Sequence, residues 1–152
     1  MAQYLSNELA GTTTGTTQAS AVAAGYRPRA TVYGARVKRM RATITLASQT
    51  TSDTILLGLL PAGSTFLYGV LNSTVSLGTS TLAVGIAGTT GKYRAAATFT
   101  ATDTPTLFGT AATAGATDPA LSADESVIAT IATANLPASG TLVVDLIYSA
   151  PN

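Results

Sequence analysis

The sequence predicts an all-β domain, an antiparallel sandwich or barrel, and three observations carry that expectation. Seven or eight short segments alternate apolar and small or polar residues, with turn residues between them at roughly ten-residue intervals. No stretch shows the 3.6-residue periodicity of an amphipathic helix. Threonine is abundant throughout the chain, and its β-branched side chain suits strands while keeping an outer face wet without charge. At 152 residues there is room for one domain that buries roughly 70% of its unfolded surface.

Taken in order, residues 10–25, AGTTTGTTQASAVAAG, carry no charge and no alternation. Their ordering entropy would be offset by little burial. We therefore expect residues 1–25 to form an extended or flexible N-terminal arm and residues 26–152 a single β-sandwich domain. Met40, Ala42, Ile44 and Leu46 then share one side of a strand, with Arg39, Arg41, Thr43 and Thr45 on the other. Val37 has the parity opposite to Met40, which predicts either a bulge near Lys38 or an earlier strand through Val32 that ends there.

Thr54 to Leu60, TILLGLL, is too short for a typical helix and stops at Pro61-Ala62-Gly63, so it reads as a buried strand with Phe66–Leu71 as its hairpin partner. Leu82, Val84 and Ile86 alternate with Thr81, Ala83, Gly85 and Ala87 in the next strand. The small outward residues imply close approach of another backbone or sheet. Gly88-Thr89-Thr90-Gly91 reads as a loop before a strand on which Tyr93, Ala95, Ala97 and Phe99 share a face. Residues 101–122 form the long connection, pinned at Leu107-Phe108. Val127, Ala129 and Ile131 mark a further strand, Leu136 to Gly140 a turn, and Leu142, Val144, Leu146 and Tyr148 the core face of the last strand. The final two strands read as a terminal hairpin.

Composition narrows the function. Charged residues are 10% and hydrophobic residues 46% of the chain, against roughly 25% charged in ordinary soluble domains. Much of the surface is uncharged, as expected of a subunit covered by an assembly. The longest apolar stretches, such as Ile55 to Pro61, fall far short of the roughly 20 residues of a spanning helix, so no membrane partner is expected. Met1 to Ala10 is polar and contains Glu8, unlike a secretion signal, and cytoplasmic synthesis is the expectation. The chain has no Cys and no His, which removes disulfides, thiolate metal sites and every Ser-His or Cys-His nucleophile.

Asp53, Asp103, Asp118, Asp124, Glu125 and Asp145 are dispersed and mostly adjoin turn residues. Asp124-Glu125 admits a divalent ion but reads more simply as the solvated start of a strand. Gly85, Gly88 and Gly91 match no phosphate-loop spacing and precede no helix. No catalytic residue, metal site or cofactor is expected, and the chain is expected not to be an enzyme.

Positive charge is segregated. Arg27, Arg29, Arg36, Lys38, Arg39 and Arg41 face Glu8 alone within residues 1–41, a balance of +5, while residues 42–152 hold Lys92 and Arg94 against six carboxylates, a balance of −4. Clustered cations attract an acidic surface at long range and fix its orientation on contact. These six residues are the candidate partner-binding site. A plain solvated face and nucleic-acid phosphates, the latter with Tyr26 and Tyr33 as stacking residues, are the alternatives, but alternation places Arg39 and Arg41 beside Thr43 and Thr45, which an acidic protein satisfies as well. We expect a protein partner.

The segments DTILLGLLPAGST (53–65), GVL (69–71) and ESVIATIATANLPASGTLVVDLIYS (125–149) resemble small virion proteins of tailed bacteriophages, above all capsid decoration, or cement, proteins. The resemblance spans residues 36 to 149 and rests on strand-and-turn texture, including the two Leu-Pro-Ala turns. It implies a jelly-roll-like β-sandwich, often a homotrimer, that binds the outside of the phage capsid, with the major capsid protein or another virion subunit as partner. It also implies a place in the virion, on the capsid exterior. A tail, neck or fibre component would use the same assembly chemistry, and a glycan-binding β-sandwich is an alternative of another class. Against the latter, there is no Trp, aromatic residues are 6%, and Tyr4, Tyr26, Tyr33, Tyr68, Tyr93 and Tyr148 show no clustered spacing.

Overall fold

Among the described residues the alternation is realised as eight strands: β1 (Arg36–Thr45), β2 (Thr54–Leu60), β3 (Thr65–Ser73), β4 (Thr81–Ile86), β5 (Thr89–Thr98), β6 (Thr106–Phe108), β7 (Glu125–Ala132) and β8 (Thr141–Ala150). The computed structural model describes residues 36–109 and 120–150, and no helix occurs among the described residues. Two four-stranded sheets form, in the orders β1-β8-β3-β6 and β2-β7-β4-β5. All the strand pairs are antiparallel.

First pairs with last, second with seventh, third with sixth and fourth with fifth. This is one long hairpin, with its tip between β4 and β5, rolled up so that alternate strand pairs fall in opposite sheets; it is the jelly-roll arrangement. The crossings travel in couples, because the rolled hairpin carries both of its arms between the sheets together. The β1–β2 and β7–β8 crossings are joined by Leu46 N–H to Gly140 O (2.9 Å), Ser48 N–H to Pro137 O (3.0 Å) and Leu136 N–H to Gln49 O (2.9 Å). At the other end Gly63 and Leu121 are bonded across the β2–β3 and β6–β7 crossings, with 2.7 Å from Gly63 N–H to Leu121 O.

The rolled topology corrects two expected hairpins. β2 pairs with β7, and β3 with β6 and β8, so Pro61-Ala62-Gly63 carries the chain between sheets. The last two strands likewise lie in different sheets, and Leu136 to Gly140 is a crossing. Of the strands adjacent in sequence only β4 and β5 pair with each other, through a two-residue turn at Ala87-Gly88; residues 89–91, expected in the loop, belong to β5. Of the two alternatives at Val37, the bulge near Lys38 is absent: β1 and β8 keep one register from Arg36 opposite Ala150 to Thr45 opposite Thr141, and Val37 faces out; Val32, through which the other ran, lies outside the described residues.

The core fills the space between sheets with Leu57, Leu60, Phe66, Leu71, Leu82, Val84, Tyr93, Val127, Ile131, Leu142, Val144 and Leu146. Burying each such aliphatic or aromatic side chain is worth roughly 1.5–3 kcal/mol. Phe66 anchors the centre, 4.4 Å from the Tyr93 ring and 6.3 Å from the Phe108 ring between centroids. Phe108 belongs to β6, so the pinning expected of Leu107-Phe108 is a short strand paired with Gly69 to Leu71. Gly69 allows this: a Cβ there would lie 2.1 Å from Phe108 Cζ.

Parity fails where registers shift. Tyr93 is buried, but Ala95 and Ala97 are exposed, because the β4–β5 register slips twice between Leu82 and Ile86 and resets which side faces in. The close backbone over Gly85 is the chain's own β5: a Cβ there would lie 2.3 Å from Thr89 O. Arg94 completes that cover by donating to the carbonyls of Leu82, Ala97 and Thr98.

Candidate docking surface

β1 is the outer strand of the β1-β8-β3-β6 sheet, so alternation along it decides where the cations point. Arg39 and Arg41 share the parity of Val37 and Thr43 and lie on the sheet's outer face. Arg36 and Lys38 share the parity of Met40, Ala42 and Ile44, which pack on the core, and extend beyond it at the open end of the strand, both exposed. The four described cations of the predicted cluster therefore divide between the two faces of one strand. Arg27 and Arg29, with residues 1–25, lie outside the described residues.

Their electrostatics also differ. Arg41 donates to Asp145 through Nε to Oδ1 at 2.8 Å and Nη2 to Oδ2 at 2.7 Å, a fork matched to the two carboxylate oxygens. Asp145 is on β8, directly opposite Arg41 in the register, and only 9% exposed. The Arg41 hydrogen bonds hold the Asp145 carboxyl below its usual range despite burial, and the charges of Arg41 and Arg39 add to the effect. Asp145 in turn raises the Arg41 pKa. Arg41 is thus neutralised within the fold, whereas Arg36, Lys38 and Arg39 enter no ion pair among the described residues.

Around this pair the outer face carries exposed apolar side chains. The registers align Arg39, Ile147 and Tyr68 in one row and Arg41, Asp145, Val70 and Leu107 in the next. Val37 is 66%, Tyr68 44% and Leu107 70% exposed. Arg41, Val70, Asn72, Pro105, Val143 and Asp145 line a pocket of about 230 Å³, and the buried Asn72 Oδ1 has no hydrogen-bond partner. Sequence reading missed Val37, Tyr68 and Leu107 as surface residues. The exposed side of β1, β3 and β6 becomes a single face only when β8 is placed between β1 and β3.

Lys92, Glu125, Asp124 and Asp53 serve the fold. Glu125 accepts from Lys92 and from Tyr93 Oη (2.5 Å), and burial, followed by the Glu125 contact, pushes the Tyr93 phenol far up. Asp124 accepts from Ala62 N–H at 2.8 Å, and Asp53 accepts from Thr50 N–H and Oγ1 at 2.7 and 2.9 Å. Asp124 and Glu125 thus fasten turns and strands. No group of three or more metal-binding side chains occurs among the described residues.

No protein-family model and no curated protein matches the chain. Solved structures do. The chain is similar to one in a structure described as the cyanophage Pam1 capsid asymmetric unit, with 23% identity, a TM-score of 0.62, and coverage of 91% of this chain and 98% of that one. A chain in the capsid of Ralstonia phage GP4 is 24% identical, with a TM-score of 0.59 over 77% of this chain and 86% of the other. A chain in the acid-stable capsid structure of Helicobacter pylori bacteriophage KHP30 is 16% identical, with a TM-score of 0.57 over 76% and 89%. At these identities the likeness is one of fold, and it extends the all-β sandwich expected from sequence to these capsid chains.

Proposed function

We propose that this chain is a non-enzymatic structural protein of a phage virion, a decoration or cement protein that binds the outside of the capsid as a homotrimer. The observation that carries this reading is the near end-to-end likeness to a chain of the Pam1 capsid asymmetric unit, which leaves almost none of that chain unmatched. The surface supports it: exposed Val37, Tyr68 and Leu107 on the outer face, three cations on β1 without an ion pair among the described residues, and Asp53 and Asp124 engaged in turns. On this reading Arg36, Lys38 and Arg39 steer the protein to an acidic neighbour, such as the major capsid protein, while Val37, Tyr68 and Leu107 supply apolar contact. Arg27, Arg29 and the arm of residues 1–25 extend the grip to an adjacent subunit, and three linked copies turn weak contacts into a multivalent clamp.

Electron microscopy of the phage particle tests this directly. Density for the sandwich on the outer shell is the expected result, and density at the neck, tail or fibre would replace the decoration role with another virion position. Light scattering should give three protomers, and a monomer at high concentration would remove the clamp. Deleting residues 1–25 should weaken shell binding with the β-type circular dichroism intact. One observation favours glycan binding as a second reading: Tyr68 shares the outer face with a pocket bearing Arg41, Asp145 and Asn72. A glycan array with Tyr68→Ala as control tests it.

A further inference from the structure

Building on that docking reading, we propose that the free edge of β1 receives a strand: an extended, carboxylate-bearing segment of the partner pairs with β1 as the fifth strand of the β1-β8-β3-β6 sheet. Among the described residues, β1 ends the strand order and pairs on one side only, with β8. Its other side presents a row of backbone N–H and C=O groups. The register with β8 runs unbroken across all ten residues, and the segment contains neither Pro nor Gly. The other outer strands differ. β6 has three residues, the β2 register shifts between Leu56 and Gly58, and β5 slips twice against β4. Among the described strands, β1 is the long straight edge, the kind that proteins cover or guard.

The chemistry of the occupant follows from the cations on both faces of this strand. A protein surface laid against the sheet meets only Arg39 and its outer-face neighbours. A strand placed beside β1 directs its own side chains alternately to the two faces, so carboxylates at neighbouring positions reach Arg39 on one side and Arg36 and Lys38 on the other. These three cations have no ion-pair partner among the described residues, whereas Arg41, Lys92 and Arg94 are each engaged within the fold. The same charges repel the β1 edge of a second copy, so the site selects an acidic strand against its own kind.

The test uses the full chain and a synthetic ten-residue peptide with adjacent glutamates flanked by threonine and valine, followed by fluorescence anisotropy and by backbone amide NMR shifts in β1. The acidic peptide should bind and shift the amides of Arg36 to Thr45. N-methylation of alternate peptide nitrogens should weaken binding at least about tenfold in one parity and little in the other, because only one set faces β1. A lysine version should not bind, and Arg39→Glu should weaken the acidic peptide. Equal binding by the parent and both N-methylated peptides overturns strand addition in favour of charge contact alone, as does no peptide binding at all. Co-sedimentation of the same protein with phage shells separates the two readings. Shell binding without peptide binding removes only the strand, and failure of both removes the docking reading as well.

Discussion

Replacing Gly69 by Ala should destabilise the sandwich through one neighbour, the Phe108 ring. The new methyl would lie 2.1 Å from Cζ and 2.5 Å from both Cε atoms, whereas carbon pairs rest near 3.5 Å, so the ring must withdraw by about 1.4 Å. Such overpacking costs roughly 1–3 kcal/mol. Phe108 is partly buried against the core, so Phe108→Ala should cost about 2 kcal/mol, around half the value for a fully buried Phe. With the ring gone the clash disappears, and Ala in place of Gly stiffens the unfolded chain. Gly69→Ala in the Phe108→Ala background should therefore stabilise by about 0.5 kcal/mol. The coupling in the double-mutant cycle is then about 2.5 kcal/mol. Urea unfolding followed by far-ultraviolet circular dichroism, at one fixed protomer concentration because association shifts midpoints, measures all four free energies. If Gly69→Ala costs as much without Phe108 as with it, the ring is not what the glycine accommodates and the packing account of β6 is wrong.

Asp145→Asn should lower the urea midpoint at neutral pH. Because Arg41 depresses the folded Asp145 pKa, its stabilisation is complete above the unfolded value of 3.8 and is lost as pH falls below it; the wild type should lose this increment in acid and the variant should have none to lose. In alkaline titration followed by phenolate absorbance, one of the six tyrosines should stay protonated until the fold is lost, and Tyr93→Phe should abolish that delayed step. Arg39→Glu should reduce shell occupancy and its salt dependence while leaving the unfolding free energy within about 0.5 kcal/mol, as for other surface substitutions. Arg41→Glu should also lower the midpoint, because it sets a carboxylate beside Asp145. Equal midpoints for the two arginine variants would contradict the distinction drawn between them.

Strand positions were legible because inward parity is local: Met40, Ala42 and Ile44, then Val127, Ala129 and Ile131, then Leu142, Val144 and Leu146 face the core as their spacing predicts. Pairing was not legible in the same way. Pro61-Ala62-Gly63 ends a strand equally well whether the chain doubles back or crosses to the opposite sheet, and a decision made by β7 and β8 cannot be seen at residue 61. Shifts of register at Gly58 and across β4–β5 defeat alternation because each added residue moves later side chains to the other face. The basic cluster was visible as composition. Its division into Arg39 outside, Arg36 and Lys38 on the opposite face, and Arg41 neutralised by Asp145, 104 positions away, required the β1–β8 register.

That register also places the start of β1 beside the end of β8, with Arg36 facing Ala150. On the docking reading, cargo fused after Ala150 would emerge next to the cationic strand and compete with a partner held there. The opposite pole, where the chain turns at residues 46–53, 74–80 and 133–140, is the place to graft an epitope or an enzyme intended to stand clear of the shell.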